Sequence, residues 1–118
     1  MATLVTYNDL NLSNFTSVIR PLPSGVIVSD SGYNATNRST VTANTVGYVV
    51  ISGTNFTSST QVYSRLIGIY NIPKLATSIT FINTTQLNVQ LQASSAGPAL
   101  LYVVNQYGTT GITFITYA

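Results

Sequence analysis

The chain offers few side chains that could move a proton or bind a metal ion. It has 118 residues, of which only six are charged, and it contains no His, no Cys and no Glu. The charged residues are Asp9, Arg20, Asp30, Arg38, Arg65 and Lys74. General acid–base catalysis, nucleophilic triads and transition-metal sites depend on His, Cys or clustered carboxylates. The composition therefore predicts a protein that is not an enzyme, with no catalytic residue, no cofactor and no metal site.

Two combinations that include these charged residues could in principle form a catalytic or cation-binding site. Lys74 and Ser78 could form a Ser–Lys dyad, but nothing nearby in the sequence would desolvate the amine, so we interpret Lys74 as a surface lysine. Asp9 and Asp30 could join backbone carbonyls in a hard-cation site, although they lie far apart in the sequence. Neither combination is the favoured interpretation.

The charge balance argues against nucleic acid and membranes as partners. The net charge is +2, but four cations cannot form the basic stripe that contacts successive phosphates. The longest apolar run, 99–104, is far shorter than the about 20 residues of a membrane span. No Lys or Arg precedes Arg20, unlike a secretory signal. We expect a chain that stays in the cytoplasm, leaves by another route or has been trimmed of its signal.

Alternation of apolar and polar residues dominates the chain and predicts strands. The clearest case is 86–92, where Leu87, Val89 and Leu91 alternate with polar residues. The segment 78–83 is predicted to be its hairpin partner. The other predicted strands are 26–29, 46–52, 61–70, 99–105 and 112–117. About seven short strands at turn spacing indicate an all-β, antiparallel sandwich.

The composition of individual segments predicts their places in the sheets. Because 99–105 is apolar on both faces, it is predicted to be a central strand, whereas 61–70, which carries an arginine and a glycine, is predicted to be an edge strand or to hold a bulge. Opposite faces of 112–117 are both apolar. The pairs are Ile112 with Phe114 and Ile115 with Tyr117. The polar stretch 30–45 is predicted to be a loop or an exposed hairpin.

Residues 1–22 differ from the rest because their apolar residues do not alternate cleanly. They end in the stiff sequence Arg20-Pro21-Leu22-Pro23. One interpretation is a first strand or a loose terminus, and the other is an arm that docks on a neighbouring subunit. The candidate contact residues of the arm are Leu10, Leu12, Phe15, Val18, Ile19 and Arg20. We therefore divide the chain into an arm, 1–22, and a sandwich domain, 23–118.

The loops supply three further candidates for partner contact. Tyr33 and Tyr107 lie in predicted loops, where Tyr beside Asn and Ser is typical of adaptable recognition surfaces. Most of the other tyrosines are interpreted as packing residues with a wet hydroxyl. Arg38 lies in the long loop, where an arginine either bridges subunits through several hydrogen bonds or serves only solubility.

The stretch from Val49 to Phe56, Val-Val-Ile-Ser-Gly-Thr-Asn-Phe, resembles the opening signature of the IPT/TIG family of immunoglobulin-like domains. The later strands, with Ile79-Thr80-Phe81 and the alternating strand up to Leu91, follow in the family's order. The resemblance covers 46–118 and implies an immunoglobulin-like sandwich. It implies that Gly53 permits a turn or bulge, that Asn55 bonds the local backbone and that Phe56 enters the core. These are packing roles, so the resemblance indicates a fold rather than a site.

The scarcity of charge favours a protein that meets other proteins. A free monomer with few charges has little protection against association, whereas a subunit of a large assembly avoids desolvating ions. We expect a structural virion protein, specifically a capsid decoration or cement protein of a tailed bacteriophage, assembled in the host cytoplasm. Its arm would dock on the capsid shell or on sister copies in a homo-oligomer or larger assembly.

The alternative is a carbohydrate- or cell-surface-binding module of the receptor-binding or adhesin type, located at the extracellular surface. In that case loop tyrosines and asparagines would stack on and hydrogen-bond to a glycan.

Overall fold

Two antiparallel sheets of four strands each form the protein in a computed structural model that describes residues 20–68 and 71–118. The strands are β1 (Leu22–Ser29), β2 (Gly47–Thr54), β3 (Gln61–Leu66), β4 (Lys74–Leu75), β5 (Ser78–Asn83), β6 (Gln86–Leu91), β7 (Gly97–Val104) and β8 (Thr110–Tyr117). The predicted fold class, an all-β antiparallel sandwich, is confirmed. The count is eight rather than about seven because β4 is only two residues long and leaves no alternation in the sequence.

The order of the strands is that of an immunoglobulin-like sandwich. Sheet I has the order β1-β2-β6-β5 and sheet II the order β4-β3-β7-β8. The constant-type immunoglobulin domain has the same arrangement of four and three strands, to which β4 adds a short edge in sheet II. The prediction that 99–105 is central is confirmed, because β7 lies between β3 and β8. The prediction of an edge position for 61–70 is wrong, because β4 pairs with β3 on its outer side.

The core lies between the sheets and is built from alternate residues of the inner strands. Leu87, Val89 and Leu91 of β6 are fully buried, as their alternation predicts. Ala99, Leu101 and Val103 of β7 face them from sheet II, and Val49 and Ile51 of β2 lie beside them in sheet I. All of these side chains are 0 % exposed. Burial of these side chains is the main stabilising contribution, since each is worth about 1.5–3 kcal/mol relative to an exposed position.

The Gly53-Thr54-Asn55-Phe56 stretch connects the end of β2 with the core and with the start of β1. Phe56 is 0 % exposed, so its predicted place in the core is confirmed. Gly53 is needed because a Cβ atom there would overlap the Leu22 carbonyl and the Phe56 ring. Asn55 has a positive φ of 65°, and its Nδ2 donates to the carbonyl of Arg20 at 3.0 Å. The stretch therefore fastens the start of β1.

The stretch 30–45 is not simply the exposed loop or hairpin that its polarity predicts. Val41 is 2 % exposed and forms a parallel bridge with Tyr117 of β8. The Val41 amide donates to the Thr116 carbonyl at 2.9 Å, and the Ala118 amide donates back to the Val41 carbonyl at 2.9 Å. One apolar residue among polar neighbours thus pairs with the last strand, which a search for alternation does not detect.

The start of β1 is packed more deeply than the sequence predicts. The strand begins at Leu22 rather than at residue 26, and Pro21 is fully buried. The backbone of Gly111 in β8 approaches the carbonyl of Pro21 so closely that a Cβ atom there would overlap it. Arg20 therefore marks the point where the preceding chain meets the sandwich, beside the beginning of β8.

Candidate interaction face

The outer surface of sheet II is apolar and aromatic. In β8 the side chains of Ile115 and Tyr117 are buried, so the alternate residues Ile112 and Phe114 point outward and are 51 % and 65 % exposed. This agrees with the predicted opposite orientation of the two pairs. The apolar and aromatic outward side chains of the four strands, together with Arg65, form what we call the apolar face, and the outward residues Gln61, Thr110 and Thr116 border it. Its members are Tyr63, Arg65, Leu75, Leu100, Tyr102, Val104, Ile112 and Phe114.

Strand register places these side chains in rows across the sheet. Tyr102 lies opposite Tyr63 on β3 and opposite Ile112 on β8, and Leu75 continues the row onto β4. The next row runs from Arg65 through Leu100 to Phe114. Directly opposed side chains in antiparallel strands have Cβ atoms about 5 Å apart, so the rows form a continuous surface.

The outer surface of sheet I has a different chemistry. Its central strands point Tyr48, Val50, Ser52, Asn88 and Gln90 outward, because the alternate residues of β2 and β6 fill the core. Thr80 of β5 extends the polar surface beside Asn88, whereas Ile27 of β1 lies opposite Val50 and is 45 % exposed. The two sheets are thus built alike, but the outer surface of sheet I is mixed and more polar than that of sheet II.

Arg65 is the one charged member of the apolar face, and it is engaged with an aromatic neighbour. Its Nε donates to the Tyr102 hydroxyl at 2.9 Å, and its guanidinium carbon lies 5.9 Å from the centroid of the same ring. Its Nη1 also donates to the Gly68 carbonyl at 3.4 Å. An arginine spread over an aromatic ring covers apolar surface while keeping its charge available to an acidic partner.

A shallow depression of about 260 Å³ opens on the apolar face. It is lined by Tyr63, Pro73, Tyr102, Val104 and Thr110. The two tyrosines and Thr110 supply its only hydroxyls, and the remaining walls are aliphatic. The depression therefore suits an apolar side chain of a partner better than a strongly polar ligand.

The structure separates the predicted loop residues onto opposite ends of the sandwich. Tyr33 and Arg38 follow the end of β1, whereas Arg20 precedes its start. Tyr107, which is 54 % exposed, lies in the β7–β8 turn at the Arg20 end, as shown by the approach of Pro21 to Gly111. These four residues do not form one site. The predicted arm residues Leu10, Leu12, Phe15, Val18 and Ile19 lie outside the described residues.

Tyr33 is held in place by the turn that precedes it. Oδ1 of Asp30 accepts hydrogen bonds from the amides of Gly32 at 2.9 Å and Asn34 at 3.0 Å. The hydrogen bond from the Asn34 backbone is the main reason why the pKa of the Asp30 carboxyl is lowered, and Gly32 adds to it. Tyr33 has a positive φ of 64° and packs edge-on against Tyr48 at 5.7 Å. The ring therefore has a packing partner on sheet I.

Arg38, Arg20 and Tyr107 have local partners of their own. The Arg38 guanidinium donates to the Thr42 hydroxyl within the same connection. The Arg20 carbonyl accepts from Asn55, and the amide of Tyr107 donates to Oδ1 of Asn105 at 2.9 Å. These bonds shape the loops. The role of the three residues in partner contact stays a prediction.

Lys74 does not pair with Ser78 in the structure. Its Nζ donates to the Ala93 carbonyl at 3.4 Å, and it lines a second cavity of about 200 Å³ together with Ser64, Ser94 and Ser95. Within residues 20–68 and 71–118, no three His, Cys, Asp or Glu side chains come together as a metal site would require. The same ranges contain no helix long and apolar enough to cross a membrane.

The members of the apolar face were not among the predicted site residues. A signal for them exists in the sequence, because 99–104 is apolar at successive positions and 112–117 places apolar residues on both of its faces. For 99–105 that pattern predicts a central strand and does not tell a covered face from an open one. Only the pairing of the strands shows that one of these faces is open. Comparison with known protein families and with curated protein sequences finds no match to this chain.

Proposed function

We propose that this protein is a non-enzymatic structural component of a protein assembly. The observation that carries the proposal is the apolar face, where Phe114, Ile112 and Leu75 are 65 %, 51 % and 43 % exposed in one continuous patch. Exposed apolar patches of several hundred Å² on a folded domain are typical of protein interfaces. Depletion of charge and enrichment in aromatic residues and arginine at the centre of a patch are typical of them as well.

In its most specific form the proposal is a capsid decoration or cement protein of a tailed bacteriophage, built on an IPT/TIG-type domain. The resemblance of 46–118 to that family and the scarcity of charge support it. A subunit fixed in a large shell meets neighbours through uncharged surfaces, which avoids the cost of desolvating ions. The partners are then shell subunits and sister copies, and the location is the virion.

The experiment is to follow the protein through a density gradient of the particles that contain it. We expect the full chain to co-sediment with a large particle in a fixed ratio to the shell subunit. Removal of residues 1–19 should release it to the top of the gradient. The truncated chain should start at Arg20, since Pro21 is buried and β1 begins at Leu22.

The control is the fold of the truncated chain, measured by circular dichroism and thermal unfolding. An unchanged spectrum with lost particle binding supports the proposal. Undiminished particle binding by the truncated chain contradicts the role of the arm. Recovery of the full chain only as a free monomer contradicts the assembly role itself.

A second candidate function, a carbohydrate- or cell-surface-binding module, is favoured by the depression between Tyr63 and Tyr102. Aromatic rings beside hydroxyls can stack on the apolar faces of sugar rings. A glycan array with the full chain tests it, with Tyr102→Ala as the comparison. Binding that is lost in the variant supports this candidate, and the absence of binding at about millimolar affinity, a level worth about 4 kcal/mol, contradicts it.

A further inference from the structure

We propose that the apolar face of one copy binds the N-terminal segment, residues 1–19, of a neighbouring copy. This inference rests on the proposed assembly function and names the partner of the face. Each copy would then act as donor through its segment and as acceptor through sheet II. Such a head-to-tail contact closes into a ring or continues as an open helical filament, depending on the rotation between copies.

The first argument is the chemistry of the segment. Residues 1–19 are rich in apolar side chains and carry a single charged side chain, Asp9. The apolar face likewise carries a single charge, Arg65, beside Tyr102. The two surfaces therefore match in apolar character and have one opposite charge each. The apolar residues of the segment that suit the face best are Leu10, Leu12, Phe15, Val18 and Ile19.

The second argument is the reach of the segment. Nineteen residues span up to about 60 Å when extended. The apolar face is about 25 Å long along β7 and β8, which have eight residues each, and about 15 Å wide between the outer strand axes where β4 is present, given strands spaced about 4.8 Å apart. The segment is joined to the sandwich at Arg20, which lies beside the start of β8 at the margin of sheet II. It is therefore long enough to leave its own domain and still cross a neighbour's face.

The third argument is the direction in which the chain leaves the sandwich. Arg20 precedes Pro21, and a residue before proline is held in an extended conformation. The bond from Asn55 to the Arg20 carbonyl fixes this point further. Binding of the segment to its own face would require the chain to turn back at Arg20, where the bond from Asn55 and the following proline restrict the backbone.

The area of the apolar face speaks against a simple pairing of two such faces. Four strands of the stated length and spacing present no more than about 500 Å². A stable interface buries about 800 Å² on each partner. Two copies packed face to face also bring their Arg65 side chains onto the same small surface. A segment from a neighbour adds its own buried area and brings an opposite charge instead.

Cysteine cross-linking of the full chain tests the proposal, because the chain has no cysteine of its own. One preparation carries Leu12→Cys and another carries Ile112→Cys on the apolar face. They are mixed in equal amounts and treated with a short bis-maleimide. The matched control replaces Ile112→Cys by Ile27→Cys, an isoleucine of similar exposure, 45 % against 51 %, on the outer surface of sheet I.

We expect the mixed dimer to form at least about ten-fold faster with Ile112→Cys than with Ile27→Cys, because bound partners have a high effective concentration. Equal rates for the two positions overturn the proposal. A predominant link between two Ile112→Cys copies overturns it in favour of face-to-face pairing. If a double variant carrying Leu12→Cys and Ile112→Cys links only within one chain, the segment binds its own domain and the neighbour assignment is wrong.

A second measurement does not depend on the position of the cross-link. Ile112→Asp and Ile27→Asp place the same charge at similar exposure on opposite surfaces of the full chain. Sedimentation velocity should show self-association lowered at least about ten-fold by Ile112→Asp and changed less than about two-fold by Ile27→Asp, because only the first charge is desolvated in the contact. Equal effects of the two variants overturn the proposal.

Different results would contradict the proposed function and the proposed contact between copies. If residues 1–19 bind a shell subunit rather than a sister copy, the cross-links between copies do not form, yet the truncated chain still leaves the particle. The proposed function then stands and the inference fails. If the truncated chain stays on the particle, the role of the arm in the proposed function fails as well.

Discussion

Phe56 packs in the core at one end of the sandwich, where β2 ends. It is fully buried, its ring lies against the backbone of Gly53, and its amide donates to the Thr84 carbonyl at 3.0 Å. It thus connects the end of β2 with the β5–β6 turn. A cavity at this position cannot be filled by neighbours, because Gly53 has no side chain to move into it.

We predict that Phe56→Ala lowers the free energy of unfolding by about 3–5 kcal/mol. Chemical denaturation measures it. The matched control is Phe114→Ala, at a concentration where the chain is monomeric, because Phe114 is 65 % exposed. Its effect should stay within about 0.5 kcal/mol. Similar losses for the two variants would contradict the assignment of Phe56 to the core and Phe114 to the surface.

Tyr117 gives the protein a sensitivity to alkaline pH. Its hydroxyl is buried without a hydrogen-bond partner. Burial raises the pKa of the phenol above its ordinary value. The Ser64 hydroxyl lies close enough to oppose this in part, although it makes no hydrogen bond of good geometry with the phenol. The folded protein therefore holds the phenolic proton more tightly than the unfolded chain. The resulting stability is fully present below pH about 10 and is lost as the pH rises through the folded-state pKa.

We predict that Tyr117→Phe leaves stability at neutral pH unchanged or slightly higher, because it removes an unsatisfied buried hydroxyl. It should also reduce the fall in stability above pH about 10 relative to the unaltered chain. Denaturation midpoints measured from pH 7 to pH 11 check both points. An equally steep fall in the variant would show that Tyr117 does not contribute to it.

The roles of individual residues followed from the sequence only where one feature decided them. The place of Phe56 in the core was predictable because it is a large apolar residue after an apolar strand. The partner of Asn55 was not, since Arg20 is 35 positions away and no local pattern links them. The exposure of Ile112 and Phe114 was not predictable either, because side-chain type alone does not tell a covered sheet face from an open one.

The four edges of the sheets are protected unequally. At the edge of sheet I, β1 has a register shift between Pro23 and Gly25 and is bonded at its end by residues 34–36. In sheet II, β4 is two residues long and follows a proline, and β8 is paired with Val41. The remaining edge, β5, has the sequence Ser-Ile-Thr-Phe-Ile-Asn without a charge or a proline. Its only irregularity lies between Phe81 and Asn83.

We predict that Thr80→Lys slows aggregation of the purified chain at least about three-fold, because a lysine on an edge strand opposes the addition of further strands. The control is Asn88→Lys, which adds the same charge to the same surface, one strand inward from Thr80. Turbidity and thioflavin fluorescence measure the rates. An equal slowing by both variants would indicate an effect of net charge rather than of the edge.

Elements with their own alternation were predictable, and elements defined by their partners were not. The hairpin of β5 and β6 followed from alternation and a short turn, and the central place of β7 followed from an apolar run that covers both faces of the strand. The two residues of β4 and the bridge of Val41 carry no such spacing. Their conformation depends on β3 and β8, which lie far from them in the sequence.

At the scale of the whole molecule, one outer surface of the sandwich is more apolar than the other, and the chain carries very little charge. The six charged residues among 118 predicted that ions would not drive its contacts. They did not indicate which surface makes those contacts. That distinction needs the register of all four strands of sheet II, because each strand contributes only one to three members of the apolar face.

We predict that self-association of the full chain changes less than about three-fold between 50 mM and 500 mM sodium chloride, because one exposed ion pair contributes little. Sodium sulfate should strengthen it, since this salt favours burial of apolar surface. Sedimentation equilibrium measures both effects. A fall of more than about ten-fold with sodium chloride would indicate a contact dominated by charge.

The bridge between Val41 and Tyr117 has a consequence for how the chain reaches its native state. It joins positions 76 residues apart, and it engages the carbonyls and amides of residues 116–118. Contacts of such long separation must wait for the entropy of a long loop to be overcome, and domains rich in them fold in milliseconds to seconds. During synthesis, the bridge between Val41 and Tyr117 cannot form until the residues of β8 are available. The order of translation therefore leaves this closure among the last events of folding.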